Sequence, residues 1–308
     1  MKRLHVIVTL ATILVLVTAS PGAAASDDDD SKFGPWSAAT NLGATINSTF
    51  ADFGPGLSPD GNSLYFASGR PGGSGLADLW VAQRANKNAP WQPPVNLGPT
   101  VNSAGVEAVP SFSRDGHWMF FASDRTPGGL GMNDIWVSFR ANPSDDFAWQ
   151  SPVNLGEPIN SAFFDAGPAL IEEGGQDILY FNSDRGGSQD FYASVRQKNG
   201  TFGTPTLVTA LNSAASDQRL TFRKDRLEVF FFSTRAGSAA FDLWTSTRED
   251  RDAAWSTPTN VGSAVNTAAN DFQPTLSRDG RTLIFASDRA GGFGLPDLYI
   301  ATRTKGGD

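Results

Sequence analysis

Asp271-Phe272-Gln273-Pro274-Thr275-Leu276-Ser277-Arg278-Asp279-Gly280-Arg281-Thr282-Leu283-Ile284-Phe285-Ala286-Ser287-Asp288-Arg289 reads as two strands joined by a tight turn. The first strand is Phe272–Ser277 and the second Thr282–Ser287. The second is almost continuously apolar at Leu283-Ile284-Phe285-Ala286, as expected of a strand covered on both faces. Asp279-Gly280 between them is a hairpin turn. Asp297–Arg303 adds a third strand.

The same text occurs five times. Working backward, the turn is Ser113-Arg114-Asp115-Gly116 and Ser58-Pro59-Asp60-Gly61, and in the third unit Glu172-Glu173-Gly174-Gly175 takes its place. The second strand ends in Ser68-Gly69-Arg70, Ser123-Asp124-Arg125, Ser183-Asp184-Arg185, Ser233-Thr234-Arg235 or Ser287-Asp288-Arg289. The third opens with Asp78-Leu79-Trp80, Asp134-Ile135-Trp136, Asp190-Phe191-Tyr192, Asp242-Leu243-Trp244 or Asp297-Leu298-Tyr299. Ahead of each first strand stands an Asn followed five residues later by an acid: Asn47 and Asp52, Asn102 and Glu107, Asn160 and Asp165, Asn212 and Asp217, Asn266 and Asp271. A proline follows the acid by three in four units, at Pro55, Pro110, Pro168 and Pro274; the fourth unit has Arg219-Leu220 instead. An aromatic opens each unit at Trp36, Trp91, Trp149, Phe202 and Trp255, spaced by 55, 58, 53 and 53 residues. Asn41-Leu42-Gly43, Asn96-Leu97-Gly98, Asn154-Leu155-Gly156 and Asn260-Val261-Gly262 follow, degenerate in the fourth unit as Thr209-Ala210-Leu211.

Repeats of about 50 residues with four antiparallel strands indicate propeller blades. The expected fold is therefore all-β: a five-bladed β-propeller of four-stranded antiparallel blades over residues 36–304, with a tail at 305–308. The last unit lacks a fourth strand, and Trp36–Leu42 is a fourth strand without a unit. The N-terminal strand is expected to complete the last blade and close the ring, leaving no open edge there.

Ahead of the repeats, Met1-Lys2-Arg3, an apolar run from Val6 to Val17 and Ala23-Ala24-Ala25 form a secretory signal peptide over residues 1–25. The run is too short to span a bilayer, and no Cys follows for lipid attachment. The expected location is secreted or periplasmic, with no membrane span once the leader is gone. Residues 26–35 begin Ser26-Asp27-Asp28-Asp29-Asp30-Ser31, an acidic tether expected to be disordered. Loss of Lys2 and Arg3 with the leader takes the net charge from −8 to −10. Such a chain does not suit nucleic acid or an anionic membrane. It contains no Cys, so the core holds the fold without disulfides. His117 is the only histidine after the leader, which excludes a His-rich zinc site.

The Ser-Pro-Asp-Gly turn and the Phe-x-Ser-Asp-Arg strand end resemble the WD-like β-propeller repeat family, which includes the propeller of the bacterial Tol system. The longer pattern, from Asn-Leu-Gly to Asp-Leu-Trp, is similar to propellers of exported proteins that also carry an OmpA-type peptidoglycan-binding domain. The resemblance covers Trp36 to Arg303. It implies an interaction platform of the cell envelope. No helical repeats or OmpA-type domain lie in that stretch, so a peptidoglycan or secretion-complex role is not carried over.

Long connections before the first strand and between the second and third are expected to share one face of the disc. The short turns should leave the other face smooth. A protein or glycan ligand is expected on the long-loop face of a monomer. Asp52, Glu107, Asp165, Asp217 and Asp271 stand where the first strands begin on that face. They have two readings: a carboxylate ring for Ca2+ or a cationic ligand, or five separate acceptors for loop amides. Phe53, Phe164 and Phe272 flank them, placed for sugar stacking or for core packing. Phe50 and Phe163 lie close by. A glycosidase needs two carboxylates in unequal environments, and these acids are equivalent repeats. The expectation is a non-catalytic binding scaffold of the envelope or exterior; the alternative is a carbohydrate-active five-bladed propeller, lectin or glycoside hydrolase.

Overall fold

A computed structural model describes residues 33–306; the leader and the tether through residue 32 lie outside them. Twenty strands follow one another without a helix among the described residues. β1 is Thr40–Asn41. The first blade is β2 (Asp52–Leu57), β3 (Ser63–Ser68), β4 (Asp78–Gln83) and β5 (Val95–Asn96). The second is β6 (Glu107–Phe112), β7 (Trp118–Ser123), β8 (Asp134–Phe139) and β9 (Val153–Asn154). The third is β10 (Asp165–Glu173), β11 (Gln176–Ser183), β12 (Asp190–Val195) and β13 (Thr206–Leu207). The fourth is β14 (Asp217–Phe222), β15 (Glu228–Ser233), β16 (Asp242–Thr247) and β17 (Thr259–Asn260). The fifth holds β18 (Asp271–Leu276), β19 (Thr282–Ser287) and β20 (Asp297–Thr302), with β1 as its outer strand.

Ring closure is as the sequence led us to expect. β1 pairs antiparallel with β20, Thr40 opposite Ile300 and Asn41 opposite Tyr299. Hydrogen bonds continue beyond that short ladder, from Ser37 N to Thr302 O and from Leu42 N to Leu298 O. Every outer strand is shorter than expected, two residues long, and in four blades the flanking Trp segment has another task. An arginine just past the third strand stacks on the ring: Arg84 on Trp91, Arg140 on Trp149, Arg248 on Trp255 and Arg303 on Trp36, each with its guanidinium 4.2–4.4 Å from the ring centroid. The same arginines donate to carbonyls of the first-to-second-strand turns, at Gly61, Gly116, Arg226 and Gly280.

Apolar residues pack between blades, since each sheet has a neighbour on both faces. Tyr65, Leu79 and Val81 of the first blade meet Met119, Phe121 and Trp136 of the second. Phe230 and Phe232 of the fourth meet Phe285 and Tyr299 of the fifth. Buried rings of this size contribute about 1.5–3 kcal/mol each. Polar clamps join the same blades. Asp146 accepts from Arg140 in its own blade and from Ser63 and Tyr65 in the first, at 2.5–2.8 Å.

The first strand of each blade carries a bulge at one place. Register slips between Phe53 and Gly56, Ala108 and Ser111, Ala166 and Ala169, Gln218 and Thr221, and Phe272 and Thr275. Within each slip the residue two past the acid has positive φ: Gly54 at 59°, Val109 at 50°, Gly167 at 60°, Arg219 at 50° and Gln273 at 54°. These first strands face one another around the axis of the disc.

Candidate functional site

The five acids sit at the start of β2, β6, β10, β14 and β18, each fully buried. In the four aspartates one carboxylate oxygen accepts from the backbone N–H and hydroxyl four residues before it, while Glu107 divides the two bonds from Ser103 between its oxygens. For Asp52 the donors are Ser48 N at 2.6 Å and Ser48 Oγ at 2.8 Å, and for Asp165 they are Ser161 N at 2.6 Å and Ser161 Oγ at 2.7 Å. The other side pairs with the arginine that ends the second strand: Asp52 with Arg70 at 2.6 Å, Glu107 with Arg125 at 3.1 Å, Asp165 with Arg185 at 2.6 Å, Asp217 with Arg235 at 2.5 Å, and Asp271 with Arg289. These arginines also hold loop carbonyls, Ile46 O and Val101 O among them, and stack on rings such as Phe66 and Trp136. Each acid therefore fastens its own long loop. Among the described residues, no group of three His, Cys, Asp or Glu side chains is placed to hold a metal ion.

Breaking one member of such a buried pair leaves an uncompensated charge. Asp165→Asn and Asp271→Asn are each expected to lower stability by about 3–5 kcal/mol. Calcium titration should leave the melting temperature of the unaltered protein where it was. A melting temperature that climbs with calcium and stops responding in Asp165→Asn would assign these acids to a cation site instead.

Phe53, Phe164 and Phe272 are partly buried and pack between blades, Phe53 and Phe164 with Ala108 and Val109, Phe272 with Phe232 at 6.1 Å between centroids. Phe50 and Phe163 are exposed rings of this face, as is Phe293 of the loop between β19 and β20. His117 follows the turn of the second blade, where its Nδ1 lies 2.9 Å from Arg140 O.

The opposite face, expected to be smooth, holds a funnel of ≈1320 Å³. Its rim is made by the first-to-second-strand turns of all five blades, and its wall by the inner strands past their bulges. The turns are longer than two residues in four blades: Ser58 N donates to Ser63 O, and Asp60 accepts from Ser58 Oγ and Asn62 N. In the third blade Gly174-Gly175, with φ of 58° and 77°, makes a two-residue turn, and the longer hairpin raises one side of the rim. Trp118, Phe112 and Phe222 are among the lining residues, with their rings also packed on Phe139, Tyr65 and Tyr180 respectively.

Charge in the funnel runs against that of the chain. Nine Lys and Arg and five Asp and Glu line it, a balance of +4 where the whole sequence carries −8. The acids are already engaged. Burial pushes the Asp115 carboxyl up, but the Ser113 hydroxyl and the His117 amide outweigh it and hold it below the usual range. Asp225 and Asp279 are held low in the same manner by Arg223 and Ser277. Glu172 pairs with Arg114 at 3.4 Å, and Asp177 with Arg196 at 3.3 Å.

Arg219 lies at the base. From the fourth blade its Nη2 donates to Pro55 O of the first and, at 3.2 Å, to Pro110 O of the second. No carboxylate pairs with it, and burial pushes its guanidinium down to about 9. Sequence reasoning marked Arg219 only as a departure from the repeat and gave it no role. The readable signal is a charge at an inner-strand position that is Gly, Val, Gly or Gln in the other units.

A scan against protein-family models finds no match, and a search of curated proteins finds none either. Solved structures do match in fold. An α-L-arabinofuranosidase from Lactobacillus brevis superposes with a TM-score of 0.59 at 14% identity, covering 85% of this chain and 92% of that one. An arabinanase from Bacillus subtilis gives 0.54 at 13% identity, over 85% and 96%. A putative TolB from Agrobacterium tumefaciens gives 0.51 at 16% identity, over 88% and 85%. At these identities the likeness establishes the five-bladed propeller fold. It also corrects the expectation of a non-catalytic envelope scaffold. The Tol-type likeness behind that expectation is one neighbour beside an arabinofuranosidase, an arabinanase and other glycoside hydrolases of the same fold.

Proposed function

We propose that this protein is a carbohydrate-active five-bladed propeller that takes a saccharide into the funnel. The funnel itself carries the reading. It converges on the axis of the disc, and its ≈1320 Å³ exceeds the roughly 300–1,000 Å³ of pockets for small ligands. Its wall combines ring faces with a surplus of N–H donors, the combination that sugar faces and sugar hydroxyls require. The leader at residues 1–25 supports export, where polymeric sugars are met. The ligand's place differs from the sequence-based expectation, being on the turn face.

A general acid for glycoside cleavage needs a raised pKa. Asp115, Asp225 and Asp279 are shifted the other way. Glu172 and Asp177, directly opposite each other on β10 and β11, are the remaining funnel carboxylates and the residues to test for turnover. Calorimetric titration with neutral and acidic oligosaccharides is expected to give saturable binding. Trp118→Ala should weaken it roughly tenfold or more, by removing a stacking face worth about 1–3 kcal/mol. Reducing ends released during the same incubations, and lost in Glu172→Gln or Asp177→Asn, would assign hydrolysis to this hairpin. The proposal fails if no saccharide binds, or if Trp118→Ala leaves binding untouched.

A further inference from the structure

Two buried polar atoms at the base of the funnel meet no hydrogen-bond partner among the described residues. One is Nη1 of Arg219 and the other is Oγ of Ser111 on β6. A buried donor without an acceptor is costly, and on a charged group more so. Arg219 is only 5% exposed, and its two hydrogen bonds go to neutral carbonyls. Its charge is therefore uncompensated within the protein.

The rim repeats that imbalance. Arg278 of the fifth blade reaches over to the second, its Nη1 donating to Arg114 O at 2.9 Å. Arg278 and Arg226 have no carboxylate partner among the described residues, while Arg114 shares Glu172. Burial pushes the Arg278 guanidinium down and the neighbouring Arg114 charge pushes it further. Arg226 is lowered by burial and then by Arg251, with Arg114 adding to the effect and Glu173 and Glu172 opposing it. Cations from three blades are thus held near one another over a buried fourth. Like charges in one partly desolvated site repel by amounts that grow as water is excluded. An anionic group at the base supplies the acceptor that Arg219 Nη1 lacks, and further anionic groups of the same ligand at the rim relieve the repulsion there.

We infer that the saccharide taken into the funnel is acidic, with one carboxylate against Arg219 at the base and others at the Arg114–Arg278 rim; this rests on the saccharide reading of the same funnel. A planar carboxylate matches a guanidinium fork better than a hydroxyl does. Ser111 Oγ is a second donor to the same group. Neutral sugars would leave the Arg219 charge buried and unmatched.

Calorimetry with tri-galacturonate and with the neutral galactose trimer tests this on the full exported chain. The acidic trimer is expected to bind roughly tenfold or more tightly, with a preference that declines as salt is raised. Arg219→Met should abolish the preference and Arg278→Gln should reduce it. Circular dichroism reports whether Arg219→Met is folded; if it is not, the result is read from Arg278→Gln, which sits on an exposed turn. Equal binding of the two trimers, or a preference that the variant read leaves at its full size, overturns the inference and leaves the saccharide reading standing. Binding of neither trimer overturns both.

Discussion

A chain that begins at residue 43 is expected to lose about 5 kcal/mol of stability or more, and to aggregate when warmed. The loss has three sources. Trp36 packs edge-on against Phe230 at 5.8 Å and lies under Arg303 at 4.4 Å. Removing a packed aromatic of this kind costs about 3–5 kcal/mol. Arg303 then keeps its bonds to Glu228 at 2.5–2.8 Å but loses its stacking partners Phe33 and Trp36. The bonds from Ser37, Thr40, Asn41 and Leu42 to β20 are also lost, which exposes that strand as an unpaired edge. Guanidinium denaturation of the full and shortened chains measures the difference. A shortened chain with an unchanged midpoint would show that closure at β1 contributes nothing. Trp36→Ala alone should reproduce more than half of the loss.

Arg219→Met is expected to make the protein more stable at neutral pH, by about 2 kcal/mol. Two effects compete. The downward shift of the guanidinium to about 9 means that keeping it charged in place costs roughly 5 kcal/mol. Against that stand the bonds to Pro55 O and Pro110 O, each worth about 1–1.5 kcal/mol net. The desolvation cost wins, as it commonly does when a buried ion is replaced by an apolar side chain of similar volume. The sign with pH follows from the same shift. From about pH 9 up to the ordinary guanidinium value the unfolded chain holds a proton at this site that the folded chain releases. Stability of the unaltered protein therefore rises with pH over that window. The advantage of the variant is full below about pH 9 and shrinks above it. Melting curves of both proteins from neutral to alkaline pH test this, and a variant that melts lower at pH 7 would refute it. A residue that lowers stability and is retained fits a binding role, since functional sites commonly hold such groups.

The repeat was legible because each unit writes its own local chemistry. The Asp-Gly turn, the acid and its arginine, and the apolar second strand lie within one blade and return in every copy, so the sequence alone led to five blades and to the ring closed by Trp36–Leu42. The length of the outer strands was not legible, because the Trp segment is diverted into stacking on Arg84, Arg140, Arg248 and Arg303. The choice of face was not legible either. The turns are short in sequence, but the five inner strands splay apart beyond their bulges, and the space between them belongs to no single repeat. Arg219 could be seen only as a misfit, since its partners Pro55 and Pro110 are 164 and 109 residues away.

The bulge shared by the five inner strands has a consequence for how this scaffold can change. It lifts one residue per blade out of the ladder, so that residue is free of sheet pairing. At two of these places the choice is closed: a Cβ on Gly54 would meet Val109 N at 2.9 Å, and one on Gly167 would run into Asn182 Oδ1. Positions 109, 219 and 273 are left, now Val, Arg and Gln. Val109 is held as well, by its packing with Phe53 and Phe164, so the freedom narrows to Arg219 and Gln273, and of these Arg219 is the one that lines the funnel. A change there would alter the charge at the axis while the packing between blades, which rests on other residues, stays as it is.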